Sequence, residues 1–306
     1  MQITNLHGLP APFVSIATND DYDKGPADYS VTELISSPRR RQLMIRHDNE
    51  IVVDVARLYY MVRGKLTHKV LEEGDQTNAI HEYRFYITLV LPDGKMVVVS
   101  GCVDRLDEHW GEYRIIDWKE TSVFSFLLGE KEEWVAQGNM YIYGMGQEGF
   151  LIPYAEINAL LRDHMERRAE FDADYPADPV VKVPIPIWPT TKTLDYMLER
   201  CRLHEAAKDV PDDDLPFCTD AEMWAKPVSY AVIRHGRPKA DRVLPSKDEA
   251  YEWLARKFGV KREYLQVVAG KKYRIEERPS ERVRCARFCL AAPFCNQHQE
   301  YLKEAE

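Results

Sequence analysis

His68, Asp104, Asp117 and Lys119 are the side chains whose types and spacing could do chemistry together. Asp104 lies in Gly101-Cys102-Val103-Asp104-Arg105, inside a stretch apolar enough to read as a strand interior. An aspartate is disfavoured there and needs a partner, either a cation or a paired arginine. Asp117 and Lys119 stand two apart in Ile115-Ile116-Asp117-Trp118-Lys119. On a strand they share one face, and Trp118 takes the other. If the short loop between the two stretches closes a hairpin, Asp104 and Asp117 sit about one residue pair apart and, in the right register, face one point. His68 and Glu72 share one side of a helical segment. Taken alone, that pair also reads as surface hydrogen-bond partners. Two carboxylates and an imidazole that converge form a hard-cation site suited to magnesium or manganese. Such an ion can activate a bound water and neutralise charge developing on a substrate oxygen. Lys119 beside it is expected to have a lowered pKa.

The elements that must position these residues follow from changes of hydrophobic period. Residues 30–54 read mainly as helix, with Ser30 as N-cap and Glu33 at capping-box spacing; Pro38 interrupts this helix or starts a second one. Residues 52–71 keep helical spacing up to Gly74. The period then shortens to strands over 83–91, 96–106 and 113–119, with Pro92-Asp93-Gly94 as a turn, which makes an antiparallel meander. Residues 132–145 return to helix, and 154–162 are a strand or a short helix, which periodicity does not decide. Beyond lie a short strand at 180–187, a helix at 193–208, an acidic linker at 211–216, a hairpin at 230–244 and a helix at 246–258. Residues 1–29 show no sustained period and read as an irregular lead-in.

Gly64-x-x-x-His68-x-x-Leu71-Glu72, then Gly101-x-x-Asp104-Arg105-x-Asp107, then Asp117-x-Lys119, then Gln137-x-x-x-Tyr141, form an ordered series. It resembles the PD-(D/E)XK nucleases, in particular their RecB-type branch, and Ser37-Pro38-Arg39-Arg40 fits that family's N-terminal end. The resemblance implies an α/β, restriction-endonuclease-like core, a central mixed sheet flanked by helices, over residues 30–165. It implies that His68, Asp104, Asp117 and the Trp118 carbonyl hold one or two Mg2+ or Mn2+ ions, and that Lys119 orients or helps deprotonate the attacking water. Gln137 and Tyr141 would line the DNA strand path, with Glu72 in support. DNA exonuclease action is the expectation, since end-processing enzymes dominate the branch. A structure-specific endonuclease in recombination or genome processing is the first alternative, and a catalytically idle DNA-binding scaffold the second. The intact set of charged residues argues against the scaffold.

Six cysteines occur, and three crowd into Cys285-x-x-x-Cys289-x-x-x-x-x-Cys295. Three thiolates need a fourth ligand from elsewhere. The same branch includes AddB-like and CRISPR-associated exonucleases, in which three C-terminal cysteines and a distant one hold a 4Fe-4S cluster. This chain departs from them in its first gap and in carrying Ser37 where the distant cysteine usually stands. Cys218, in a loop-like setting, is the replacement; Cys201 and Cys102 read as small buried residues. Phage enzymes use an arrangement of this kind, which implies a phage-encoded protein. A structural Zn2+ is the alternative to the cluster. The region 166–306 would then be a C-terminal part closed by the cluster and carrying a basic segment.

The 306 residues are ordinary in composition and can bury a sizeable core. A net charge of -9 speaks mildly against nucleic acid, but residues 255–287 hold eleven Lys or Arg against four Glu, and Arg39, Arg40, Arg41 and Arg46 cluster near the start. No secretory signal and no apolar run of membrane-spanning length is visible, so the expected location is the cytoplasm, the host's if the protein is viral. DNA is the expected partner, with a homo-oligomer or recombination and replication proteins as further candidates.

Overall fold

The computed structural model describes all residues except 20–22, 75, 76, 130, 269, 271 and 306. They form two compact units, Met1–Pro216 and Phe217–Glu306.

The first unit begins with β1 (Gln2–Thr4), α1 (Ala11–Thr18), β2 (Tyr29–Ser30), α2 (Val31–Ile35), α3 (Pro38–Arg46) and β3 (Val52–Asp54). A 3-10 turn leads into α4 (Tyr59–Glu72), followed by β4 (Ala79–Val90), β5 (Met96–His109) and β6 (Glu112–Thr121). Then come α5 (Val123–Leu127), α6 (Glu132–Gln147), β7 (Tyr154–Leu161), α7 (Glu166–Ala169), β8 (Val180–Pro184) and α8 (Thr190–Ala206). A six-stranded mixed sheet, in the order β2-β5-β6-β7-β8 with β4 also on β5, is flanked by helices. β4, β5 and β6 are the expected antiparallel meander. β7 runs parallel to β6, joined through α5 and α6, which resolves the segment whose period was ambiguous.

The expected helix over residues 30–54 is shorter and broken. Ser30 Oγ accepts from Glu33 N at 3.1 Å, and Glu33 Oε2 accepts from Ser30 N at 2.8 Å, so the capping box is present. Pro38 opens α3 at its first turn, where its missing N–H is no loss. Residues 52–54 leave helix altogether, because β3 pairs in parallel with β1. The lead-in is likewise not wholly irregular: it holds β1 and α1, and Pro10 and Pro12 stand at the start of α1, where proline favours a helix.

The core gathers Tyr29, Leu34, Phe85, Val97, Val99, Leu106, Ile115, Met140 and Met145. Phe85 is fully buried between two glycines. A Cβ at its cross-strand partner Gly101 would fall 2.2 Å from the ring, and one at Gly144 on α6 would fall 2.1 Å from it. These glycines let α6 lie close against the sheet and bring Gln137 and Tyr141 to β6. The carbonyls at the end of α2 are taken up by α8: Arg200 donates to Leu34 O at 2.7 Å and to Ser36 O at 2.6 Å.

The second unit holds α9 (Asp220–Met223), β9 (Ala225–Lys226), β10 (Ser229–Arg234), β11 (Arg242–Leu244), α10 (Lys247–Phe258), α11 (Leu265–Val268), β12 (Tyr273–Arg278), β13 (Glu281–Arg282), α12 (Val283–Arg287) and α13 (Asn296–Ala305). β10 and β11 form the expected hairpin, and β12 completes a three-stranded sheet of order β11-β10-β12. α10 packs Ala250 and Leu254 onto it beside Val232.

Candidate active site

β5 is paired along one edge by β4, from Ala79↔Asp107 to Val90↔Met96. Its other edge is shared: β2 takes Val99 and Ser100, and β6 takes Arg105 to His109. Gly101 to Asp104 pair with neither β2 nor β6, so β5 and β6 part there and the sheet forks. One further step of the Arg105↔Ile116 register sets Asp104 opposite Asp117. In place of a ladder bond, Asp104 Oδ2 accepts the Trp118 N–H at 2.9 Å. A strand residue's N–H and C=O leave by the same edge, so the Trp118 carbonyl also opens into the fork.

His68 reaches the fork from α4, with Nδ1 3.5 Å from Asp104 Oδ2. Asp117 is buried, and its Oδ2 lies 2.6 Å from Lys119 Nζ. Gln137 Nε2 donates to Asp117 Oδ1 at 3.3 Å and to Tyr141 Oη at 2.8 Å. All the sequence-derived residues of this site therefore meet at one place. Glu72 lines the same cavity, where Lys69 Nζ is 3.3 Å from its Oε2.

The set whose ligand atoms all lie within 4.8 Å of one another among the described residues is His68, Glu82 and Asp104. Asp117, engaged by Lys119, stands outside that set. Glu82 is the member that sequence reasoning missed. On β4 the pairs His81↔Arg105 and Tyr83↔Val103 leave it opposite Asp104, with a backbone φ of 48°. A non-glycine residue in the left-handed region inside a strand is strained, and such strain gathers at functional sites. Cys102 Sγ donates to Glu82 Oε2 at 3.3 Å, and burial, then Glu82, push that thiol up to about 12, so it stays protonated. Cys102 is thus only half-buried, at the site's margin, while Cys201 is fully buried.

Burial pushes the Asp117 carboxyl up to about 6; Lys119 opposes this and Asp104 adds to it. Burial pulls the Lys119 ammonium down, but Asp117 and Asp104 together outweigh it and the net shift is upward. The chain's own charges therefore raise Lys119, whereas the lowering expected from the sequence is the effect of an adjacent cation. A cavity of about 710 Å³ opens beside these residues, lined among others by His68, Glu82, Asp104, Gln137 and Tyr141. The donors are carboxylate oxygens, an imidazole and a carbonyl, a hard set that fits magnesium or manganese.

In the second unit, Cys285 lies on α12, Cys289 just past its end and Cys295 just before α13. Burial, then the neighbouring Cys289 and Cys295, push the Cys285 thiol up to about 11. Gln297, buried two residues past Cys295, clamps Cys218: its Oε1 accepts from Cys218 N at 2.8 Å and its Nε2 donates to Cys218 O at 2.9 Å. Pairing of β9 with β13 and the stacking of Trp224 against Phe288 at 5.5 Å tie the same segments together. None of the six cysteines is in a disulfide. Ser37 caps α3 by accepting from Arg40 N at 3.4 Å.

No helix among the described residues is long and apolar enough to cross a membrane. A family profile for the PD-(D/E)XK nuclease superfamily matches residues 37–296. Among solved structures, that of SSO0001 aligns at 13% identity over 62% of this chain and 84% of that one, with a TM-score of 0.45. No curated protein sequence matches significantly.

Proposed function

The chain belongs to the PD-(D/E)XK nuclease superfamily, and from that premise we propose that it is a metal-dependent DNA exonuclease of the RecB-like branch. The observation that carries the reading is the sheet fork, at which His68, Asp104, Asp117, Lys119 and Gln137 meet. His68, Asp104, Asp117 and the Trp118 carbonyl are assigned to one or two divalent ions, and Glu82 joins them as a further carboxylate. A bound divalent ion supplies a water of lowered pKa and positive charge against the scissile phosphate. Lys119, kept protonated by its carboxylate neighbours, donates to the attacking water or to a phosphate oxygen and holds it in line. Gln137 fixes the carboxylate of Asp117 and, with Tyr141, walls the cavity that receives the strand end.

Cys218, Cys285, Cys289 and Cys295 are assigned to a 4Fe-4S cluster that staples the end of the chain. The clamp of Gln297 on Cys218 and the crowding of the other three thiols support this set, which thiolate chemistry also makes suitable for zinc. The divided domain plan, with a nuclease core over 30–165 and a cluster region over 166–306, a phage origin and recombination or replication partners belong to the same proposal.

The test is digestion of end-labelled linear DNA and of a covalently closed circle, with magnesium or manganese, by anaerobically purified protein and its Lys119→Ala variant. Loss of label from linear DNA alone, abolished in the variant, is the expected result. Cleavage of the circle would replace the exonuclease reading by the endonuclease one. No cleavage of either, with DNA still bound, would leave the scaffold. Iron and sulfide content, against zinc content, decides the identity of the cluster.

A further inference from the structure

We infer that the ridge of α4 running Tyr60–Gly64–His68, with Arg162 at its far end, is a track for single-stranded nucleic acid leading into the hydrolytic centre. This rests on the nuclease reading above and names the form of substrate that the site takes.

Tyr60, Gly64 and His68 are spaced four apart on one helix, so they follow one another along a single ridge. His68 is the end of that ridge that enters the fork. Gly64 sits in the helix interior, where glycine is among the least favourable residues. No packing demands it: a Cβ there would meet nothing within 4 Å. What the missing side chain does provide is a gap in the ridge between Tyr60 and His68, and Gly64 lines the cavity that holds the site.

Beyond the gap, Tyr60 is 52% exposed and neighbouring Tyr59 is 45% exposed, their rings 5.4 Å apart and edge to face. Large, half-exposed aromatic rings offer faces on which bases stack, whatever the base, and here Arg63 lies over Tyr59 at 5.7 Å. The guanidinium of Arg162 lies 5.0 Å from the centre of the Tyr60 ring. Arg162 is itself exposed and is held at the end of β7, where its N–H donates to Thr121 O at 3.0 Å. Thr121 is two residues past Lys119 on β6, so the stacking ring and its arginine are anchored to the strand that carries the catalytic pair. An exposed aromatic ring with a guanidinium over one of its faces combines the stacking surface and the positive charge that single strands need. A duplex keeps its base faces stacked inside except at its terminal pairs, and so offers Tyr60 far less than a single strand does.

The dimensions agree with a short track. Eight residues of helix at about 1.5 Å each put Tyr60 roughly 12 Å along the axis from His68. At about 3.4 Å per stacked nucleotide, the base on Tyr60 is the third or fourth from the scissile phosphate.

The test uses the full chain carrying Lys119→Ala, so that substrate survives, with fluorescein-labelled oligo-dT and a blunt DNA hairpin as probes. Added to that parent, Tyr60→Ala is expected to weaken oligo-dT binding by roughly 5- to 150-fold, as loss of one stacked base implies. Tyr60→Phe should stay within about twofold, since the ring face remains. Gly64→Leu, which fills the gap, should weaken oligo-dT binding without lowering the melting temperature. Tyr60→Trp fluorescence should be quenched by oligo-dT and not by the hairpin. The inference is overturned if the parent fails to bind oligo-dT, if Tyr60→Ala and Gly64→Leu bind it like the parent, or if the hairpin loses as much affinity as the single strand. Digestion by the unmodified chain, run in parallel, separates the two claims. Cleavage with unaffected oligo-dT binding sinks only the track, and weakened oligo-dT binding without cleavage sinks only the nuclease.

Discussion

Asp117→Asn should make the metal-free protein more stable while abolishing its hydrolytic activity. Asp117 is 3% exposed, and burial outweighs Lys119 in holding its carboxyl near about 6 instead of the ordinary 3.8. Between those two values the folded chain keeps a proton that the unfolded chain has lost. Stability therefore falls as pH rises from about 4 to about 6 and stays lowered above. At about 1.4 kcal/mol per pH unit, the gap amounts to roughly 3 kcal/mol near neutrality. Asparagine resembles the protonated acid in shape and carries no charge, so it should recover most of that amount. The advantage should disappear near pH 4, where the unmodified Asp117 is already protonated. Excess magnesium should reverse it, because an ion bound only to the folded chain adds about 2.7 kcal/mol at a hundredfold excess over its Kd, and the variant lacks a ligand charge. Urea midpoints in EDTA and in magnesium, near pH 7.5 and just below pH 4, measure all of these arms. A variant no more stable than the parent in EDTA near pH 7.5 would refute the reasoning, and would mean that the Lys119 pair more than offsets the desolvation of Asp117.

Gly144→Ala should destabilise the fold, since the new Cβ would fall 2.1 Å from the Phe85 ring, which Gly101 also confines. Overpacking of about 1–3 kcal/mol should exceed the helix gain of about 1 kcal/mol, and Phe85→Leu in the same chain should recover stability, as urea midpoints would show. Gly64→Ala should do the opposite and raise stability by about 1 kcal/mol, because its Cβ meets only open space; a fall in the midpoint would show a packing role not evident at this position. Glu82→Gln should weaken magnesium binding about tenfold or more by calorimetry, with little change in the metal-free melting temperature. Unchanged affinity would remove Glu82 from the ligand set.

The site was legible in the sequence wherever local spacing encodes geometry. Asp117 and Lys119 share a strand face whatever the rest of the chain does, and the Gln137–Tyr141 spacing places both on one side of a helix. Asp104 facing Asp117 needed only a hairpin of ordinary length. Glu82 was not legible, because its part depends on a long register with β5 and on one residue taking a left-handed backbone. A glutamate in a strand of mixed polarity carries no mark of either. The same limit explains β1 with β3, whose parallel pairing joins segments far apart in sequence, and β7, whose short apolar run acquires its identity from β6. Periodicity reports which way a side chain points and is silent about which neighbour supplies the hydrogen bonds.

The sign of the Lys119 shift follows from that same neighbourhood. Sequence reasoning placed the lysine beside a cation, which would lower its pKa, and the metal-free chain instead holds it raised. Both follow from one balance. Burial favours the neutral amine, Asp117 and Asp104 favour the ammonium, and without a divalent ion the carboxylates prevail. Lys119 thus serves as the counter-charge of Asp117 at 2.6 Å. Were a divalent ion held by the same carboxylates, it would compete with Lys119 for their charge and weaken the pull that now raises the ammonium. The pairing with Lys119 offsets part of the cost of burying Asp117, and because burial still prevails, a neutral residue in its place should stabilise the chain in EDTA.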